Sequence, residues 1–448
     1  MQRTKLFFVI AFIFSFTQSV ISQPVSYVKH PDWSYNKTIY EVNIRQYTKE
    51  GTFKAFEEYL PQLKEMGVGI LWIMPINPIG EKNRKGPLGS SYSVKDYLAV
   101  NPEFGTLDDF KHLVKRTHEL GMYLIIDWVA NHTAWDNKLV AEHPEWYTKD
   151  NDGNFVAPIK DWTDVVDLNY DNKDLRTYMQ NALIYWVKEC DIDGFRCDVA
   201  DMVPTDFWNT VRPELEKIKP VFMLAEAEKA ELQEYAFDMT YSWEIFKIAD
   251  KVAQGKMETD DIRYFFKREN EAFPANVFRM RFTSNHDENS WNGTEYERLG
   301  DAVEPFTVFN FVINGMPLIY SGQEAGNPKR LKFFEKDPID WKESKCRNLY
   351  TDLCKLKLVN PALWSGDKGG PLTELPNSGT GIFSFSRVKG DNKAICLFNF
   401  NAKEMKFLIE TNGLEGVYKD YFSGQKVTIE KEYSLSLPKW GYKILVKE

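Results

Sequence analysis

Tyr123-Leu124-Ile125-Ile126-Asp127-Trp128-Val129-Ala130-Asn131-His132 runs apolar for four residues and then meets an acid, an amide and an imidazole. A short apolar run with no polar alternation fits a strand buried on both faces, as in a parallel sheet. The pattern recurs along the chain. Asp193-Gly194-Phe195 leads to Arg196 and Asp198, Val221-Phe222-Met223-Leu224-Ala225 leads to Glu226, and Arg281-Phe282-Thr283-Ser284 leads to Asn285, His286 and Asp287. Helical patterns separate these runs, which is the signature of βαβ units. Eight strands are expected, over residues 38–44, 69–74, 123–129, 192–197, 221–225, 236–239, 280–284 and 318–320. Eight is the number that closes a (β/α)8 TIM barrel, an α/β fold.

The length of 448 residues suits such a barrel plus additions. Residues 38–322, less an insertion of about 40 residues, come close to the ~250 typical of the fold. The expected organisation is a signal peptide over 1–22, the barrel over 23–132 and 171–363, a small inserted domain over 133–170 after strand three, and a C-terminal antiparallel β domain over 364–448. In that last region 382–387, 394–399 and 442–446 read as strands between turns. Asp150-Asn151-Asp152-Gly153 resembles the start of a calcium loop, but the later ligands are missing, which favours a hairpin tip.

Arg3 and Lys5 precede an apolar run over 6–16, too short for the ~20 residues of a membrane span. Short side chains at 20–22 place a cleavage site before Gln23, so export to the periplasm or the exterior is expected. No cysteine lies near the cut to carry a lipid, and no later segment is long and apolar enough to span a bilayer. The formal charge of −9 becomes −11 without Arg3 and Lys5, which disfavours nucleic acid and anionic membranes as partners. Five cysteines leave at least one thiol unpaired, and none shows CxxC spacing, so no zinc site is indicated. Cys190 and Cys197 flank an apolar strand and read as small buried hydrophobes.

The acids carry the functional reading. In a (β/α)8 barrel the C-terminal strand ends converge on one face, where chemistry takes place. A carboxylate following a buried apolar run is costly unless paired or used. Any one such acid has a bland explanation as a solvated loop residue or helix cap. Four strand ends with the same feature do not.

Here the chain resembles a known family. Asp127-Trp128-Val129-Ala130-Asn131-His132, Gly194-Phe195-Arg196-Cys197-Asp198, Leu224-Ala225-Glu226 and Ser284-Asn285-His286-Asp287 are similar, in order and separation, to the four short motifs of the α-amylase family of glycoside hydrolases (glycoside hydrolase family 13). Val166-Asp167-Leu168-Asn169, the loop from Ser91 to Tyr97 and the segment from Gly315 to Glu324 add further matches, so the resemblance runs from about Asn36 to the chain's end. It implies a retaining α-glucan hydrolase acting on α-1,4 bonds of starch-like polysaccharides or malto-oligosaccharides. Asp198 would be the nucleophile, Glu226 the general acid/base and Asp287 the third carboxylate. Tyr92, His132, Arg196 and His286 would form the substrate-binding set, with the Tyr92 ring stacking on the sugar. The high aromatic content, 15%, fits a core plus some rings that meet apolar sugar faces. Asn131 matches a calcium ligand of many members, whose other ligands come from the variable insertion. No organic cofactor is implied.

Two departures stand out. Many starch-cleaving members carry His four residues after the nucleophile, where this chain has Met202, and His two residues before the stacking Tyr, where it has Ser90. The acidic calcium loop common after strand one in the α-glucosidase-like branch is absent from 47–52. The first departure, however, also occurs in that branch, so the alternative is an α-glucosidase or a glucosyl or maltosyl transferase acting on short malto-oligosaccharides. An inactive accessory subunit is disfavoured because all three acids are kept. Endo or exo action, product size and oligomeric state stay open.

Overall fold

The computed structural model describes residues 24–447, so the expected signal peptide lies outside the described residues. Eight parallel strands close into a barrel: β1 (Ile39–Val42), β2 (Ile70–Ile73), β3 (Tyr123–Val129), β4 (Gly194–Asp198), β5 (Phe222–Ala225), β6 (Met239–Tyr241), β7 (Phe278–Arg281) and β8 (Met316–Tyr320). They follow one another around the barrel in chain order, and β8 pairs with β1.

Side-chain alternation sorts the strand residues. Ile39, Ile70, Trp72, Ile125, Leu224, Met239, Tyr241 and Met280 form a cluster inside the barrel. Their neighbours Tyr40, Leu71, Ile73, Ile126, Phe195, Cys197 and Met223 pack outward under the helices. With a period of two, Phe195 and Cys197 facing out place Arg196 and Asp198 facing in. By the same count Glu41, Asp127 and Glu226 fall on the interior face at the C-terminal end. Register completes the alignment: Asp127 pairs with Arg196, Val129 with Asp198 and Cys197 with Ala225, so Asp198 and Glu226 end neighbouring strands at the same level. Gly194 permits this close pairing. Its φ is +141°, and a Cβ there would stand 1.9 Å from the Phe222 carbonyl oxygen.

The sixth strand differs from the sequence expectation of 236–239. The helix Leu232–Tyr235 carries the chain to Phe237, whose N–H bonds to the Leu232 oxygen. Asp238 is taken by His30, Arg212 and the Met223 N–H, and the strand begins only at Met239. The seventh ends at Arg281 rather than continuing to 284.

Within 133–170 the strand His132–Ala134 pairs antiparallel with Val165–Asp167. The Asp150–Gly153 segment is a turn: Lys149 bridges Phe155, and Asp150 Oδ1 accepts from the N–H groups of Asp152 and Asn154. The C-terminal region is an antiparallel six-stranded sheet backed by a two-stranded ribbon. Phe383, Phe385, Cys396 and Phe398 face the barrel helices, whereas Ile395, Leu397 and Leu445 pack with Phe407 and Ile409 of the ribbon. All five cysteines are free thiols, and Cys190 and Cys197 are buried. Among the described residues no helix is long and apolar enough to cross a membrane.

Candidate active site

Arg196 organises the floor of a cleft at the C-terminal end of the barrel. Its side chain is fully buried, beside the rings of Trp72, Tyr92 and Tyr241. Nη1 donates to Asp127 Oδ1 at 2.9 Å and to Asp198 Oδ1 at 2.8 Å, and Nε donates to the Tyr241 hydroxyl at 3.2 Å. Nη2 lies 2.9 Å from Glu226 Oε2, close enough for ion pairing but off the direction of a hydrogen bond. One guanidinium thus serves three buried carboxylates. A buried charge is tolerated when paired in this way.

The acids differ in how readily they ionise. Burial is the main force on each and raises all three, while Arg196 pulls them down. Asp127 and Asp198 are pushed up to about 6 and Glu226 to about 8, with Asp198 and Asp287 adding to the rise at Glu226. The order follows from the contacts: Asp127 and Asp198 accept direct hydrogen bonds from Arg196, whereas Glu226 has its direct bond from a neutral backbone amide. Val199 N donates to Glu226 Oε2 at 2.8 Å. Hydrogen bonds to a charged donor favour the ionised form more strongly.

Two histidines face the cleft in opposite states. His286 sits between Glu41, which contacts its Nδ1 at 2.5 Å, and Asp287, 3.2 Å from its Nε2. Burial alone would lower its pKa, but the two carboxylates overcome that and hold it at about 9. His132 has no carboxylate partner, and burial lowers it to about 4. At neutral pH His286 is therefore cationic and His132 neutral. Tyr92 stacks on His286 at 5.3 Å between ring centroids, and its hydroxyl lies 2.7 Å from His286 Nε2 and 3.0 Å from Asp127 Oδ2. Trp72 Nε1 donates to the same Asp127 oxygen, so Asp127 is a hub that fixes Arg196 and Tyr92 together.

The cleft has a volume of about 350 Å³, and Asp198, Glu226, Asp287, Tyr92, His132 and His286 all line it. Arg196 departs from the expected substrate-binding set. It does not line the cleft: it lies fully buried beneath the floor, with Nε and Nη1 bonded to Tyr241, Asp127 and Asp198, and it acts as a positioning group. Asn131 also lies outside the lining. Its amide donates to Asp167 Oδ1 at 3.4 Å and its oxygen faces His132 Nδ1 at 3.3 Å. Among the described residues no group of three or more His, Cys, Asp or Glu is arranged to hold a metal ion.

The sequence reading did not single out Glu41, Lys85, Trp162, Trp291, Phe333 or Phe334. The last five line the cleft, and Glu41 fixes His286 from below. Glu41 could have been found as the one charged residue inside the apolar run of β1. Trp291 sits in a single π-helical turn, Glu288–Asn292, and the other rings lie in loops, so no periodicity places them.

Comparison with known proteins agrees with this geometry. The family model for the α-amylase catalytic domain matches residues 28–162 and 140–370. Alpha-amylase 2 of Dictyoglomus thermophilum is 28% identical over 445 residues, which cover 89% of this chain and 74% of that protein. The crystal structure of the noncanonic maltogenic α-amylase AmyB from Thermotoga neapolitana superposes with a TM-score of 0.84 at 31% identity, covering 92% of this chain and 98% of that one. An α-amylase from Lactobacillus plantarum gives 0.82 at 31% identity, covering 92% and 99%. With its closed barrel, its three acids gathered in one cleft and a family match over most of its length, this chain belongs to the α-amylase family of glycoside hydrolases.

Proposed function

We propose that this protein cleaves α-1,4-glucosidic bonds in starch-like polysaccharides or malto-oligosaccharides, with retention of configuration. The observation that carries the reading is the single Arg196 guanidinium that holds Asp198 and Glu226 at neighbouring strand ends while leaving Glu226 the harder of the two to ionise. Glu226 Oε2 is occupied by the Val199 N–H and Arg196, so the acid proton resides on Oε1.

In the first step an Asp198 oxygen bonds to the anomeric carbon as the glycosidic C–O bond breaks, and the departing oxygen takes the proton from Glu226. In the second step Glu226, now a base, takes a proton from water. The hydroxide bonds to the anomeric carbon and the Asp198 ester bond breaks. Asp287 and the cationic His286 beside it supply a charged wall for sugar hydroxyls, and neutral His132 supplies one more hydrogen-bonding group. A sugar hydroxyl in place of the water gives transfer instead of hydrolysis. The apolar run near the N-terminus supports export of the chain before it acts.

The test is incubation of the purified protein and its Asp198→Asn variant with malto-oligosaccharides and starch, with products sized by mass. New reducing ends from the parent protein and their near-complete loss in the near-isosteric variant support the reading. Substantial turnover by a clean, folded variant overturns the role of Asp198.

A further inference from the structure

Glu226 gives the cleft a direction. Its proton goes to the leaving oxygen, so the departing part of a substrate lies on the β5 side, and the part held by Asp198 lies across the cleft. In an α-1,4-glucan the held part is the non-reducing one. That far side is walled by loops tied to one another. Lys85, in the loop after β2, donates from Nζ to the Asp161 carbonyl at 2.6 Å and pairs with Asp164 Oδ1 at 3.3 Å, both in the insertion. Ser93 Oγ adds a bond to the Asp164 carbonyl at 3.0 Å. The same loop joins the one after β8, where Leu88 N donates to the Phe334 oxygen at 3.1 Å. Gly86 allows the contact, since its φ is +64° and a Cβ would stand 2.5 Å from Phe334 Cβ. The loop after β8 in turn joins the one after β7: Ser290 Oγ donates to the Leu331 oxygen at 2.9 Å, and the Trp291 and Phe333 rings meet at 5.2 Å.

On the β4 and β5 side Met202 is 38% exposed, and Asp201 and Lys229 pair at 3.3 Å on the surface.

We infer that this wall closes the non-reducing end of the cleft, so that a glucan must enter by its non-reducing end and the protein releases short products of fixed length from that end. Lys85 is the specificity-determining residue, because it lines the cleft and ties the β2 loop by charge to Asp164, two residues from the cleft-lining Trp162. Its side chain is about one-third exposed and lines the cleft, so its loss acts on what the cleft admits. The inference rests on the glucan-hydrolase reading above and deepens it.

The experiment uses two forms of reducing-end-labelled maltoheptaose, one with a free non-reducing end and one capped there by a 4,6-ethylidene group, with products sized at low conversion. The parent protein should release one short unlabelled product from the free form. It should cleave the capped form at least about tenfold more slowly, equivalent to ~1.4 kcal/mol of barrier. Lys85→Ala should narrow that gap several-fold and broaden the product lengths. Equal rates on the two forms, with a spread of lengths from the start, overturn the wall. An unchanged gap in Lys85→Ala overturns the role of that residue, and cleavage of neither form overturns the hydrolase reading itself.

Discussion

Val199 N–H donates to Glu226 Oε2 at 2.8 Å from a left-handed backbone, φ 35° and ψ 49°, which a β-branched side chain rarely adopts. Such a conformation costs on the order of 1–3 kcal/mol and persists only where the surroundings enforce it. Here the kink follows directly after Asp198, at the end of β4. It turns one backbone donor toward the carboxylate at the end of β5 and leaves only Oε1 of Glu226 to carry a proton into the cleft.

Glu226→Gln should therefore lose proton donation while keeping the fold. The expected fall in kcat/KM is about 10²- to 10⁴-fold on malto-oligosaccharides, the usual range for general acid catalysis. A nitrophenyl leaving group needs little protonation, so the first step on such a substrate should lose much less. Pre-steady-state release of nitrophenol checks this, and an equal loss on both substrates would remove Glu226 from the role of acid.

The pH profile follows from the two raised carboxyls. Asp198 must be ionised to attack, so activity should fall as pH drops through about 6. Glu226 must be protonated to donate, so activity should fall again as pH rises through about 8. The profile of kcat/KM on a malto-oligosaccharide should be a bell between these limits, and the limits belong to the pair as a unit. Residual turnover of a nitrophenyl substrate by Glu226→Gln should lack the alkaline limb. An alkaline limb that survives the substitution would assign it elsewhere.

Arg196→Met tests the floor. The change leaves Asp127, Asp198 and Glu226 buried without their cation, and breaking one side of a buried pair costs about 3–5 kcal/mol. The melting temperature should drop clearly. Without the positive charge Asp198 ionises less readily, so the acid limb should move to higher pH in whatever activity remains. Arg196→Lys keeps a charge but not the fork that meets three acids at once, and it should recover stability more than activity. A variant with parental stability and an unmoved acid limb would show that the guanidinium is dispensable.

These acids could be read from the sequence because each follows an apolar run, and alternation then dictates which neighbours face inward. That pattern singled out Asp198 and Glu226, and their separate roles came with the resemblance to the family's short motifs. Glu41 escaped because its partner His286 lies 245 positions away, and a lone acid in β1 gives no hint of what it meets. The sixth strand was misplaced because 236–237 is as apolar as a strand, while the buried polar contacts that set its start come from the distant His30 and Arg212. The strands Met405–Glu410, Lys426–Ile429 and Glu432–Leu437 were missed for the opposite reason: one face is exposed, and charged residues interrupt the apolar signal. The cleft wall depends on contacts between loops after four different strands, and no local pattern encodes those.

Processing offers an independent check on where the protein works. The charged start, the apolar run over 6–16 and the short side chains at 20–22 support cleavage before Gln23. Mass spectrometry of protein recovered from the exported fraction should show a chain beginning at Gln23. A chain in that fraction that still begins at Met1 would exclude cleavage.

Stereochemistry tests the mechanism most directly. A retaining enzyme sets its nucleophile and acid about 5–5.5 Å apart, too close to admit a water for single displacement. Asp198 and Glu226 end strands that are direct neighbours in the barrel, in level register, and contact one guanidinium. Neighbouring strands lie about 4.8 Å apart, so this architecture brings the two carboxyls into that range. Two displacements at the anomeric carbon restore its configuration, and the first sugar released from an α-glucan should be the α-anomer, seen by proton NMR before mutarotation. An initial β-anomer would require a water between acid and base. Asp198 would then no longer be the nucleophile, and the base would be sought in Asp287, which is half exposed across the cleft and free to activate a water.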